Sequence, residues 1–312
     1  MKAYRKAGMV ACSNGLPLSA QEEMKQLHET LLALGIEAVW SDYLYAKDGI
    51  RSGTGKERAD ALMKFFRDES IDMIFDVSGG DVAQEVLDYL DYEVIASARN
   101  KTGKRKAFWG YSDLTVLLNA IYTKTGNAGV LYQVRYIENM LQPGVKTMGE
   151  LQGENSLEWN PDMFQPHYHF LRGTEMAGVV VGGNIRCLLK LAGTEYFPDV
   201  TDKILFLEAR SGLEKEMRKY LSQLQCMGVF EKIHGLFLGT FTRWDEETAE
   251  RGVGDESMTM ERLVMEYIPN ALPVAKTLEV GHARDSKAIW IGKDLHLVLN
   301  HVLENNVNGF VD

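Results

Sequence analysis

The chain has 312 residues, 45% hydrophobic and 25% charged, an ordinary globular composition with length for about two domains. Lys and Arg number 34 against 44 Asp and Glu, and the resulting net charge of -10 lacks the basic balance that a nucleic-acid partner needs. No apolar run reaches the ~18 to 20 residues of a bilayer span, so a membrane partner is not expected either.

Lys2, Arg5 and Lys6 ahead of Met9-Val10-Ala11-Cys12 loosely imitate a lipoprotein leader. The apolar stretch from Ala7 to Cys12 is shorter than the ~7 to 15 residues of a signal core, and Ser13-Asn14-Gly15 then turns the chain. Met9 to Cys12 therefore reads as a first buried strand. Ser19 and Glu22 have capping-box spacing before Met24, Leu27, Leu31 and Leu34, which recur at helical period until Gly35. Ile36 to Trp40 is the second strand. Thr54 and Glu57 cap a helix carrying Ala59, Leu62, Met63 and Phe66, and Ile71 to Val77 reads as a strand buried on both faces, ending at Ser78-Gly79-Gly80. A helix from Val82 to Leu90, a strand from Ala107 to Gly110, a helix from Leu114 to Thr123 and a strand from Gly129 to Tyr132 complete an open α/β sheet.

The period is lost from residue 141 to 175, where Gly, Pro and aromatics such as Trp159, Phe164, Tyr168 and Phe170 take over. The chain thus divides into an N-terminal α/β domain (1–140), a connecting segment (141–175) and a C-terminal domain (176–312). The last has strand-like runs at Ala177 to Val181, Ile204 to Leu207, Ile233 to Leu238 and Trp290 to Leu299, with helices from Leu213 to Gln225 and Met258 to Tyr267. Cys12, Cys187 and Cys226 are odd in number and far apart, which argues against a disulfide framework or a zinc site and for a reducing, cytoplasmic compartment.

Gly110-Tyr111-Ser112-Asp113 lies between an apolar strand and an apolar helix. A serine on such a turn is lifted out at the carboxyl edge of the sheet, where open α/β folds bind ligands, and the next N–H faces the same space. Leu114 stands where G-x-S-x-G ends in glycine, and a serine before a helix also serves as a plain cap. A nucleophilic hydroxyl needs a base, and the base an orienting acid. His28 lies on a polar helix face, His234 in a strand, and His296 and His301 in the terminal strand region; His167-Tyr168-His169 has metal-like spacing without a third ligand. His282 follows a strand at Val280-Gly281, where the imidazole can face a cleft, and Glu208 ends the apolar run from Ile204. Each has a plainer reading, as a loop histidine and a solvated carboxylate. What joins them is the order Ser, acid, His, each at the carboxyl end of a strand. Gly182-Gly183-Asn184, ahead of a helix, either presents amides to a substrate carboxylate or makes a tight turn, and the basic run Arg99 to Lys106 reads as a solvated turn.

Across nearly the whole chain these residues resemble the serine peptidases that comprise murein LD-carboxypeptidase A and the microcin C immunity peptidases. The resemblance is carried by Arg51-Ser52-Gly53-Thr54 with Arg58-Ala59-Asp60, Gly79-Gly80 with Tyr89-Leu90-Asp91-Tyr92, Gly110-Tyr111-Ser112-Asp113-Leu114-Thr115, Gly182-Gly183-Asn184 with Gly193-Thr194, Leu207-Glu208, and Gly281-His282 with Ile291-Gly292. It implies a flavodoxin-like parallel-sheet N-terminal domain and a C-terminal swivelling domain with a β-rich core. Ser112 matches the nucleophile, Glu208 the orienting acid and His282 the general base. The amides of Asp113 and Gly80 match the oxyanion hole, with Gly183 and Asn184 as substrate-binding positions. No metal or organic cofactor is implied, and a homodimer is. Val130 to Arg135 departs from the Gly-Pro pair usual after the elbow helix, so the pocket wall there differs from the family pattern.

The leading expectation is a cytoplasmic serine peptidase that releases a terminal D-amino acid from a murein tetrapeptide. An immunity-type peptidase would cleave a peptidyl or aminoacyl nucleotide amide and need aromatic surfaces for the base, such as Trp159, Phe164 and Tyr168. A third alternative is a binding module that keeps the fold without chemistry; the presence of all three triad residues counts against it.

Overall fold

Except at the edge strand Ile36–Trp40, short strands in the N-terminal half are buried along most of their length, as strands covered by helices on both faces must be. These are β1 (Arg5–Val10), β2 (Ile36–Trp40), β3 (Met73–Asp76), β4 (Ala107–Gly110) and β5 (Gly129–Leu131). They pair in parallel in the order β2-β1-β3-β4-β5, the flavodoxin-like order. The chain runs outward from β1 to β2 and then returns to β3 on the other side, the kind of switch in strand order at whose carboxyl edge open α/β sheets bind ligands. The computed structural model describes residues 5–141, 161–250 and 258–299. It divides into two units, Met1–Met163 and Phe164–Asp312.

The helices of the first unit are α1 (Gln21–Ala33), α2 (Gly55–Arg67), α3 (Tyr92–Ser97) and α4 (Thr115–Thr125). The expected capping box forms at α2: Thr54 Oγ1 accepts the Glu57 N–H, and Glu57 accepts the Thr54 N–H. At α1 it does not. Pro17 starts a 3-10 turn over Leu18–Ala20, so Ser19 lies inside that turn and Ala20 occupies the cap without a side-chain bond. The segment read as a helix from Val82 to Leu90 is a 3-10 stretch, Ala83–Tyr89.

In the second unit, β6 (His169–Arg172), β7 (Glu175–Asn184), β8 (Ile204–Ala209), β9 (Gly235–Phe241), β10 (Val274–Lys276) and β12 (Asp294–Val298) order as β12-β7-β8-β9-β10-β6. The strands from β7 to β10 are parallel and the two edge strands antiparallel. With them go α5 (Ile185–Leu188), α6 (Glu214–Cys226), α7 (Thr242–Glu250), α8 (Met260–Met265) and β11 (Ile289–Ile291). The terminal run read as one strand from Trp290 to Leu299 is broken by Gly292, whose φ of +89° suits a turn. No helix among the described residues is long and apolar enough to cross a membrane. Cys12 and Cys187 are buried free thiols, and Cys226 is an exposed one.

Candidate active site

Ser112 sits just past β4, whose four residues are all buried, in a 3-10 turn (Ser112–Leu114) that runs into α4. Its φ is +54°, in the left-handed region where a residue with a Cβ is strained by ~1 kcal/mol or more. The crossing from strand to helix is tight: a Cβ on Gly110 would lie 2.5 Å from Leu114 Cβ. Leu114 can therefore replace the last glycine of the elbow pattern, since the close approach is made at Gly110. The glycine turn after β3 runs alongside, because a Cβ on Gly79 would lie 3.8 Å from Ser112 Cβ. Gly80, at φ +133°, lies against Asn14, whose Oδ1 accepts the Asp81 N–H.

Beneath this surface is a buried polar network that sequence reasoning did not single out. Asp113 is fully buried, and its Oδ2 accepts the Ser13 hydroxyl at 2.6 Å and the Ala83 N–H at 2.9 Å. Ser13 in turn donates its N–H to Ser78 Oγ, and Ser78 donates its hydroxyl to Asp76 at the end of β3. Burial raises the Asp76 carboxyl to about 6 despite hydrogen bonds from Ser78 and Cys12 that pull the other way. Its signal in the sequence was polar residues packed directly after two apolar strands, at Ser13 and Ser78.

The segment from Val130 to Arg135 is buried except at the part-exposed Gln133 and Arg135. Tyr132 meets the buried Trp109 edge-on at 6.2 Å, and Arg135 makes a bidentate pair with Glu23 on α1.

In the second unit the structure brings Glu208 and His282 together. Glu208 is the next-to-last residue of the fully buried β8 and has no exposed surface, and its Oε2 is 2.7 Å from His282 Nδ1. The carboxylate accepts from Nδ1–H, which leaves Nε2 as the basic nitrogen. Oε1 accepts the side-chain amide of Asn184 at 3.0 Å. Asn184 ends β7 directly opposite Glu208 in the parallel register and also accepts the Cys187 N–H, so this side chain is held inside the unit on the acid and on α5. Gly183 precedes it at φ +132°.

Two glycines let the histidine loop close onto the sheet. A Cβ on Gly239 would lie 2.4 Å from the Val280 carbonyl, and one on Gly281 would lie 1.7 Å from Thr240 Oγ1. Ser286 Oγ accepts the Gly281 N–H, and Lys287 donates its N–H to the Glu279 carbonyl, closing the loop around His282. His167 pairs with Glu279 rather than with His169, and no group of three or more His, Cys, Asp or Glu side chains among the described residues is arranged to hold a metal. Of the aromatics considered for stacking, Phe164 is stacked on Trp290 and Tyr168 is buried with its hydroxyl on Val298; Trp159 lies outside the described residues.

Chemically, a buried carboxylate on Nδ1 prepares an imidazole to take a proton at Nε2, and a left-handed serine at a strand end presents a hydroxyl beside main-chain amides. Comparison with known proteins finds relatives over most of the chain. A Bacillus subtilis protein named "Probable murein peptide carboxypeptidase" is 26% identical over 276 residues, covering 86% of this chain and 82% of its own. The microcin C7 self-immunity protein MccF of Escherichia coli is 27% identical over 267 residues, covering 76% of each. The solved structure of MccF with glutamyl sulfamoyl guanosine superposes with a TM-score of 0.76 at 22% identity, covering 95% of this chain and 93% of that one. The model of the LD-carboxypeptidase N-terminal domain matches residues 7–133 and that of the C-terminal domain residues 177–297. The chain belongs to the LD-carboxypeptidase family of peptidases.

Proposed function

We propose that the chain is a serine peptidase in which Ser112 is the nucleophile, His282 the general base and Glu208 its orienting acid, and that it releases a terminal D-amino acid from a murein tetrapeptide. The observation that carries this reading is the fully buried Glu208 carboxylate 2.7 Å from His282 Nδ1. His282 Nε2 takes the hydroxyl proton as Ser112 Oγ bonds to the substrate carbonyl carbon. The oxygen becomes an oxyanion held by the amides of Asp113 and Gly80. As the C–N bond breaks, the imidazolium gives its proton to the leaving amine. Water then attacks the acyl-enzyme, losing its proton to His282 and returning the hydroxyl to Ser112. Gly183 remains a candidate to contact the substrate, whereas the Asn184 amide serves first to hold Glu208. A cytoplasmic location and a homodimer belong to the same reading; free thiols at all three cysteines support the former.

A second substrate is favoured by one specific finding: the likeness to MccF, a self-immunity protein whose solved structure holds glutamyl sulfamoyl guanosine. In that case the same triad cleaves a peptidyl or aminoacyl nucleotide amide. Incubating the chain with a murein tetrapeptide, its all-L analogue and a peptidyl nucleotide amide, with products read by mass spectrometry, separates the two. The expected outcome is free D-alanine from the tetrapeptide, little action on the all-L analogue, and loss of turnover in Ser112→Ala. Hydrolysis of the nucleotide amide alone overturns the substrate but keeps the triad; undiminished turnover in Ser112→Ala overturns the triad.

A further inference from the structure

The two amides assigned to the oxyanion lie on different loops, one after β4 and one after β3, and nothing in the covalent chain fixes the distance between them. We infer that the Asp113 carboxylate, through Ser13, is the tie that holds them in register, so that Asp113 and Ser13 are positioning residues for the reaction. The inference rests on Ser112 being the nucleophile. A single oxygen, Asp113 Oδ2, accepts both the Ser13 hydroxyl and the Ala83 N–H, and Ala83 is three residues past Gly80. The residue that offers its own N–H to the oxyanion therefore grips the loop that offers the other.

Ser13 extends the tie to the glycine turn from a second side. Its N–H goes to Ser78 Oγ, while its neighbour Asn14 donates its N–H to the Gly79 carbonyl and accepts from Asp81. The buried Arg58 guanidinium holds the same pair of segments from below, donating to the Ser13 and Val82 carbonyls. Three strand ends, those of β1, β3 and β4, are thus laced through side chains with almost no exposed surface. A non-glycine residue at positive φ persists only where its surroundings over-determine it, and this lacing supplies that constraint at Ser112. Preorganised donors stabilise a developing oxyanion only if they are already aimed at it, so loosening the tie should reduce the stabilisation of the transition state more than the binding of substrate.

The test uses the full chain and whichever substrate the parent turns over. Ser13→Ala removes one hydroxyl, and the fraction of competent enzyme is fixed by titration with an active-site phosphonate. Per titrated site, kcat is expected to fall about 10- to 100-fold with KM within about 3-fold, part of the loss seen when a whole oxyanion donor is removed. Affinity for a peptide aldehyde, which forms a tetrahedral oxyanion on the serine, should fall in proportion while affinity for the released amino acid holds. Asp113→Asn should show the same pattern. Lys106→Met serves as the comparison, since it loosens a helix end at the opposite edge of the sheet and should lower thermal stability without changing kcat per site. Unchanged kcat in Ser13→Ala, or equal losses for aldehyde and product, overturns the inference while leaving the triad intact. Full activity in Ser112→Ala overturns the triad and the inference together.

Discussion

A carboxylate with no exposed surface is tolerated only when both oxygens are engaged, because an ion stripped of water and left unpaired costs several kcal/mol. Glu208 meets that condition with Asn184 on one oxygen and His282 on the other. Both partners donate, so both carboxylate oxygens act as acceptors. In Glu208→Gln the side chain keeps its shape, but one of its ends is now an NH2 that must face either the Asn184 amide or the imidazole Nδ1–H. The imidazole would flip its tautomer or turn away, and the precedent for an equivalent Asp→Asn change in a serine protease is a loss of roughly 10⁴ in kcat. Steady-state rates on a preparation whose circular dichroism matches the parent check this; a rate within a few-fold of the parent would remove Glu208 from the mechanism. Ser112 lies just past β4 and Glu208 falls within β8, as their apolar runs suggested, whereas His282 lies in the loop past β10 rather than at the end of a strand, so its approach to Glu208 was not readable from local pattern. Asn184 was legible as a residue but not in its partner, since opposition across two strands 24 residues apart depends on register, which no local pattern encodes.

At the level of single elements, α2 shows how one buried cation can finish a helix. The last carbonyls of a helix have no intrahelical donor, and here Lys106, at the base of β4, donates to the carbonyls of Phe65, Phe66 and Asp68. Burial lowers its pKa, with the charges of Asp68, Glu69 and Asp72 opposing that shift. Lys106→Met fills the same space and strands the carbonyls, so it should cost about 2 to 3 kcal/mol, a fall in Tm of about 5 °C or more by calorimetry. An unchanged Tm would mean that water replaces the ammonium at no cost. The front end of α2 was readable from Thr54 and Glu57, because a capping box is local chemistry. Its back end was not, because the capping lysine arrives from 38 residues downstream. The same contrast separates the strands: β3 and β4 were visible as apolar runs, whereas β6 and β10 have His169, Arg172 and Lys276 at their ends and pair across about a hundred residues of chain.

For the molecule as a whole, the alternation of apolar runs with helical periods was enough to expect two α/β domains, while strand order depended on contacts that sequence pattern leaves open. Stability against pH is likewise a property of the whole, set by carboxylates that folding makes stronger acids and those it makes weaker. Hydrogen bonds from Thr54, Ser70 and Thr201 lower the pKa of Glu57, Asp68 and Asp199, so these groups contribute stability that is lost on acidification below about pH 4. Asp76 acts in the opposite sense. Burial raises it to about 6 against an ordinary aspartate value near 4, so between those limits the folded chain binds a proton that the unfolded chain has released. Its contribution is therefore fully present below about pH 4 and lost as pH rises to about 6 and beyond, a change on the order of 2 to 3 kcal/mol. Asp76→Asn should remove that slope while adding a pH-independent offset for altered hydrogen bonds to Ser78 and Cys12. Denaturant titrations of parent and variant at intervals from pH 4 to 7 give the difference directly, and every other titrating group cancels from it. The parent should lose stability relative to the variant between pH 4 and 6 and then keep a constant difference from it; parallel curves throughout would show that Asp76 folds with its ordinary acidity.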